Sequence, residues 1–206
     1  MDNYLIEVCN NLCTFNEVKD KTILEVGSRN VNGSFKNVLM KHNPKSYLGI
    51  DIQKGVNVDE ICDVCNLTKR FNNQCFDIVV CTEVIEHVKD WRNGIINLMN
   101  VTKIGGMILL TSRSKGFGEH SFPHDYWRFE IEDIQHIFKE WEILHLCKDL
   151  FINPNNNKQD HFGFFLKAKK KNNIIPSLDN YALFNIKTDP RHNPVDSCIK
   201  RTLNFE

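Results

Sequence analysis

The chain has 206 residues, 41% of them hydrophobic, with 26 Lys and Arg against 26 Asp and Glu, enough apolar content for one full core and no net charge. A balanced charge sets up no field that draws nucleic acid or an anionic membrane, so the expected partner is a small, near-neutral molecule. No stretch offers the ~18 apolar residues of a membrane span, and residues 1–20 lack the basic start and apolar middle of a signal peptide, so a cytoplasmic protein is expected.

In chain order, Tyr4, Leu5, Val8, Leu12, Phe15 and Val18 fall at helical spacing and predict an amphipathic helix over 3–18, placed where it can cap a ligand site. Residues 21–33 organise the rest of the chain. Ile23, Leu24 and Val26 form a β-type apolar run around the carboxylate of Glu25; Gly27, a polar turn and Gly33 then lead into a helix over 35–40. This is a strand, loop, helix unit with a glycine where a ligand can approach the backbone and a helix N-terminus that favours an anion. Such units also occur in α/β domains that bind nothing, so the rest of the chain must decide.

Residues 45–51 are a second apolar run, ending in Asp51 about 25 residues after the first, the spacing of a strand-helix-strand unit. A carboxylate at that edge matches a ribose diol with its two acceptor oxygens, and the plainer alternative is a turn-forming Asp. Residues 58–64 predict a third strand ending at Asp63, and 76–81 an uninterrupted apolar strand covered on both faces. Residues 82–88 follow at once, 91–101 carry a helical pattern, and Gly105-Gly106 turns the chain into a fifth strand over 107–111. This alternation predicts an open, mostly parallel α/β sheet.

Residues 112–129 break the rhythm with Gly116, Gly118, His120, Pro123, His124 and the run Asp125-Tyr126-Trp127-Arg128. Long polar and aromatic loops after a strand's carboxyl end are where α/β sheets carry function. A helix over 130–140 and strands over 141–150 and 161–170 follow, the two strands joined through an Asn-rich turn at 153–157 and therefore expected to be antiparallel. The lysines at 169–171 read as a solvated strand end, and the chain then turns irregular around Pro176, Pro190 and Pro194. The expected organisation is one domain over 1–171 and an extension, 172–206, packed on it or partly mobile.

Eight cysteines would suggest disulfides in a small secreted domain, but several sit in apolar runs, as in Val79-Val80-Cys81, and most are read as reduced, buried thiols. Cys62 and Cys65 have the spacing of a redox or zinc pair with no second pair at finger spacing, and Cys9 and Cys13 are neighbours on one helix face.

Ile-Leu-Glu-Val-Gly at 23–27, Leu-Gly-Ile-Asp at 48–51, Phe-Asp-Ile-Val-Val at 76–80, Glu-Val-Ile-Glu-His-Val at 83–88, the closing Gly-Gly and the antiparallel final pair together resemble the class I S-adenosylmethionine-dependent methyltransferases, over roughly residues 20–170. The resemblance implies a Rossmann-like, doubly wound, mostly parallel seven-stranded sheet with an antiparallel last strand. It also implies S-adenosylmethionine as cofactor across the carboxyl ends of the first strands. Glu25 is then at the amino-acid end, directly or through water, with Gly27, Ser28 and Gly33 in the adjoining loop. Asp51 takes the ribose hydroxyls with Ile52 beside it in the cofactor set, Asp63 and Val64 flank the adenine, and Thr82 and Glu83 lie near the sulfonium methyl. Arg29 and Val31 stand where further glycines are usual, which leaves the loop path open.

Methyl transfer needs an in-line nucleophile about 3 Å from the methyl carbon, and a base only where a hydroxyl must lose its proton. His124, His87 and His120 are the candidate bases, each with the alternative of satisfying a local hydrogen bond, and Trp127 and Phe129 have the alternative of packing the loop on the core. Arg128 is read as clamping a substrate carboxylate or an internal Asp. Glu83, Glu86 and His87 would share one helix face and resemble an acidic-histidine run that some quinone-biosynthesis methyltransferases use near a divalent metal. The plainer reading, a helix-start carboxylate facing the dipole, is preferred, and no metal is assigned.

The stretch 123–128 also resembles one seen in small bacterial methyltransferases of uncertain substrate, some near glycan-modifying genes. The expected function is O- or N-methylation of a small-molecule or glycan acceptor, held by the loop 112–129. The alternative is a non-catalytic cofactor-binding or regulatory protein. A nicotinamide dehydrogenase ranks third, because the first loop lacks the Gly-x-Gly-x-x-Gly form.

Overall fold

The computed structural model describes residues 3–31, 33–120, 124–152 and 159–188; Asn32, Pro123, the Asn-rich turn, Pro190, Pro194 and Cys198 lie outside them. The elements are α1 (Asn3–Leu12), α2 (Phe15–Val18), β1 (Thr22–Val26), α3 (Lys36–Leu39), β2 (Ser46–Asp51), β3 (Glu60–Ile61), α4 (Leu67–Phe71), β4 (Phe76–Thr82), α5 (Trp91–Val101), β5 (Thr102–Arg113), β6 (Trp127–Arg128), α6 (Ile131–Ile137), β7 (Glu142–Ile152), β8 (Gln159–Lys169) and β9 (Phe184–Asn185).

Seven strands form one sheet in the order β3-β2-β1-β4-β5-β8-β7, with β1 to β5 parallel and β8 antiparallel to both its neighbours. This is the expected Rossmann-like sheet with a reversed last strand. Its central strands alternate their side chains between two cores. Ile23, Ile78 and Val80 join Cys9, Val18, Phe35 and Leu39 on the α1–α3 side. Leu24, Val79 and Cys81 join Leu67, Trp91, Ile95 and Leu98 on the side of α4 and α5. Burial on both faces is why these strands read as unbroken apolar runs. The chain order reverses between β1 and β4, and at such a switch point the loops part and leave a crevice at the carboxyl edge.

Four details depart from the sequence reading. The helix over 3–18 breaks at Thr14, whose backbone is extended and whose N–H donates to the Glu17 carboxylate at 2.9 Å, starting α2. The third strand shrinks to two residues, because Asp59 and Asp63 accept the backbone N–H groups of Gly49 and Cys65 at 2.7 and 2.8 Å and turn the chain away from the ladder. Residues 83–88 are not a regular helix: Glu83 takes φ +56°, and a single 3-10 turn, Ile85–His87, follows. Lys170 is buried, its Nζ donating to the carbonyls of Met99 and Thr102 at 2.7 and 2.9 Å, so only Lys169 and Lys171 form a solvated end.

Residues 172–188 return over the α5 and α6 side. Leu178 and Ile186 are buried, Arg92 Nε donates to the Leu178 carbonyl at 2.7 Å, and the Tyr181 hydroxyl donates to Asp133 at 2.7 Å while its ring stacks on His136. β9 pairs antiparallel with β6, a two-stranded sheet that ties this segment to the loop after β5. The described cysteines are all free. Among the described residues no helix is long and apolar enough to cross a membrane.

Candidate functional site

The carboxyl ends of β1, β2, β4 and β5 meet at one edge of the sheet, and nearly every residue singled out above lies along it. Glu25, the penultimate residue of β1, is buried, with the Ser34 hydroxyl 3.5 Å from each carboxylate oxygen. Burial pushes its carboxyl up to about 7, against the pull of the Tyr47 hydroxyl, the Lys36 charge and the Ser34 hydroxyl. A carboxylate so poorly compensated fits a cationic ligand group such as an ammonium.

Gly27 has φ +76°, and its N–H and that of Ser28 both donate to the Ile50 carbonyl, at 2.9 and 3.0 Å. A Cβ there would stand 2.1 Å from Val84 Cγ2. The demand for glycine thus comes from the turn after β4 and from the left-handed torsion. Ser28 is buried with its hydroxyl against Gly49, and Gly33 donates its N–H to Asn30 Oδ1 at 3.0 Å. Arg29, which replaces a usual glycine, reaches across to Gln53 Oε1 at 2.7 Å and packs over Gly55, while Asn30 N–H donates to the Val56 carbonyl at 3.0 Å. The loop after β1 is therefore pinned to the loop after β2.

Asp51 ends β2, accepting the N–H of Gln53 at 2.9 Å and that of Arg29 at 3.3 Å, and it stays partly open to solvent beside the exposed Ile52. Lone-pair capacity remains for a vicinal diol. Asp63 is engaged with the Cys65 N–H, and the adjoining Val64 is buried. Thr82 is buried at the end of β4. Glu83 turns inward, accepting from the Thr111 hydroxyl at 2.9 Å and pairing with Arg113, whose other side approaches Asp149. Glu83 thus does not join Glu86 and His87 on one face.

The histidines separate into two groups. His124 has an exposed side chain, and its carbonyl accepts from His87 Nδ1. His87 and His120 stand ring against ring, with centroids 4.8 Å apart. His120 comes from the loop after β5, where Asp125 Oδ2 accepts its backbone N–H at 2.8 Å and faces its Nδ1 at 3.1 Å. The Nε2 atoms of His87 and His120 then point to Glu86 Oε1, at 3.9 and 3.7 Å. Glu86 is fully buried; its Oε2 accepts the Ser112 hydroxyl at 2.7 Å, while Oε1 has no hydrogen-bond partner.

Against the cost of burial, the neighbouring histidines and Ser112 hold the Glu86 carboxyl down at about 2. His120 likewise rises to about 9, burial being outweighed by Asp125 and Glu86. Burial opposes the Asp125 carboxylate too, but Arg128 and His120 hold its carboxyl well below the usual range.

Arg128 resolves the alternatives given for it. Its guanidinium is fully buried and clamps Asp125 through two nitrogens at 2.6 and 2.7 Å, and it also donates to the carbonyls of Phe117, Gly118 and Trp127. Tyr126 N–H on the Glu86 carbonyl at 3.0 Å and Trp127 Nε1 on that of Val88 at 3.0 Å stitch this loop to the turn after β4. Asp125, Ser112 and the pair Arg113 and Asp149 had no assigned role in the sequence reading. Asp125 lay inside a run already singled out, whereas Asp149 sits on a strand with nothing local to mark it.

Residues 24–110 match a family model described as a methyltransferase domain. No curated protein sequence matches the chain. Among solved structures, an S-adenosylmethionine-dependent methyltransferase from Mesorhizobium loti aligns over 80% of this chain and 96% of its own, at 12% identity and a TM-score of 0.58. The YcgJ protein of Bacillus subtilis aligns over 83% and 100%, at 12% identity and 0.59. The [4+2]-cyclase SpnF aligns over 82% and 80%, at 14% identity and 0.61. Likeness at such identity speaks for the fold alone: the chain has the fold of these S-adenosylmethionine-dependent methyltransferases, and its residues 24–110 match the methyltransferase-domain model.

Proposed function

We propose that the chain methylates an oxygen or nitrogen of a small-molecule or glycan acceptor received between the turn 83–88 and the loop 112–129. Bound S-adenosylmethionine supplies a methyl group activated on a sulfonium sulfur. On this reading Glu25 holds the cofactor's ammonium, Asp51 its ribose diol, and Asp63 with Val64 borders the adenine. Burial of Glu25 with little compensation and the spare acceptor capacity of Asp51 support that assignment.

The observation that carries the acceptor side is the convergence of Glu86 Oε1 with the Nε2 atoms of His87 and His120, from the segments after β4 and β5. Both segments start at the carboxyl edge, so an acceptor hydroxyl there meets the His87 imidazole as the group to take up its proton. His124, whose exposed ring lies 5.7 Å from that of Tyr126, together with Tyr126 and Trp127 would form the outer wall of the same pocket.

The test is release of S-adenosylhomocysteine from the purified protein with panels of phenols, sugars and amines, followed by His87→Ala, Trp127→Ala and His124→Ala with the best acceptor. His87→Ala should lower kcat by roughly 10²-fold or more, Trp127→Ala should raise KM, and His124→Ala should have the smallest effect. S-Adenosylhomocysteine affinity should stay close to wild type throughout. Cofactor binding with no turnover on any acceptor would favour the non-catalytic alternative, and turnover unchanged in His87→Ala and Trp127→Ala would remove the acceptor assignment.

A further inference from the structure

The geometry points to a divalent-cation site at Glu86, His87 and His120, with zinc the first ion to try. One ligand atom from each residue lies within 4.8 Å of the others. The Nε2 atoms of His120 and His87 are 3.7 and 3.9 Å from Glu86 Oε1, beyond hydrogen-bonding reach. A tetrahedral ion with bonds of about 2.0–2.2 Å spaces its ligand atoms roughly 3.3–3.5 Å apart, so small side-chain movements would close the set.

Three independent features support a site in place of a chance cluster. Glu86 is fully buried, yet the oxygen it aims at the histidines has no hydrogen-bond partner. Both imidazoles spend Nδ1 on outer partners, His120 on the Asp125 carboxylate and His87 on the His124 carbonyl, which leaves both Nε2 atoms directed inward, where an ion would take the place of any proton on them. That arrangement is how metal-binding histidines are usually fixed in tautomer and orientation. The outer partner Asp125 is itself held by the buried Arg128, and the ligand Glu86 by the Ser112 hydroxyl. Glu83 is outside the set, its carboxylate being taken by Thr111 and Arg113.

Two imidazoles and one carboxylate form a donor set suited to zinc or another first-row divalent ion. His87 and His120 side chains are 17% and 28% exposed, so a further coordination position faces solvent. The site stands without the methyl-transfer reading. Only its use rests on that reading: the ion would hold an acceptor oxygen and ease loss of its proton, in place of an unassisted His87.

The test uses the full chain, stripped with a chelator and titrated with zinc, with cobalt as a spectroscopic substitute. We expect a single zinc per chain and the visible bands of cobalt bound by nitrogen and oxygen. Glu86→Gln, His87→Gln and His120→Gln should each weaken zinc by more than the roughly tenfold to hundredfold loss typical of an outer partner, with thermal melting and S-adenosylhomocysteine affinity near wild type. His145→Ala, on β7, should change nothing. A thiolate-to-cobalt band, absence of zinc uptake, or uptake that survives all three substitutions would overturn the site. If one variant fails to fold, the other two still decide.

Discussion

The two sides of the carboxyl edge treat their carboxylates differently. On the β1–β2 side, Tyr47, Lys36 and the Ser34 hydroxyl at 3.5 Å offset the burial of Glu25 only in part, and Asp51 accepts two backbone N–H groups, one of them at 3.3 Å. On the β4–β5 side, Asp125 is closed by Arg128 and His120, and Glu83 by Arg113 and Thr111. The first side keeps electrostatic capacity in reserve for a ligand. The second uses its charges on itself and so fixes a loop with little regular structure.

Breaking the self-satisfied side should have the largest effect. Arg128→Met would leave Asp125 charged, buried and without its main partner, which costs about 3–5 kcal/mol. Urea denaturation should show that loss, and adding Asp125→Asn should recover much of it. A loss under about 1 kcal/mol would mean that the loop is held by packing alone.

The next effect tests where the two sides touch. Gly27→Ala combines a left-handed torsion, about 1–2 kcal/mol, with overpacking against Val84, about 1–3 kcal/mol. Val84→Ala in the same chain should relieve the second part and leave the first. If the full loss persists, the cost at Gly27 lies in its left-handed torsion and not in the contact with the turn after β4.

These two cases also show what the sequence made legible. β1, β2 and β4 were readable because burial on both faces demands continuous apolar runs, and Glu25 and Asp51 stood out as carboxylates at the ends of such runs. β6 and β9 are two residues each, below any periodic signal. The meeting of His120 with Glu86 depends on Arg128 drawing in Asp125, a tertiary ion pair that spacing alone does not announce. The face proposed for Glu83, Glu86 and His87 assumed a helix, but the positive φ at Glu83 sends that carboxylate towards Arg113.

On the open side, Asp51→Ala should weaken S-adenosylmethionine binding by about tenfold to a hundredfold, or 1.5–3 kcal/mol, measured by calorimetry. Asp51→Asn keeps one acceptor oxygen for the loop and should fall between. Equal affinity in all three proteins would move the ribose elsewhere and close the contrast between the two sides.

The smallest effect, and the finest test of that reserve, is pH dependence at Glu25. Its carboxyl sits at about 7 in the folded chain against 4.5 for an ordinary glutamate, so the folded chain keeps a proton that the unfolded chain releases. The stability contributed by this raised group is therefore fully present below about 4.5, shrinks as pH rises, and is lost above about 7. An ammonium beside Glu25 favours the carboxylate, so cofactor binding should expel the proton, and affinity should climb over the same window and level off above it. Calorimetry in buffers of different ionisation enthalpy reads the proton directly. Glu25→Gln supplies the control: it should abolish the release, weaken binding at neutral pH, and make the ligand-free chain more stable there than wild type. Proton release that persists in Glu25→Gln would assign the titration to another group, and an affinity flat across the window would place the ammonium away from Glu25.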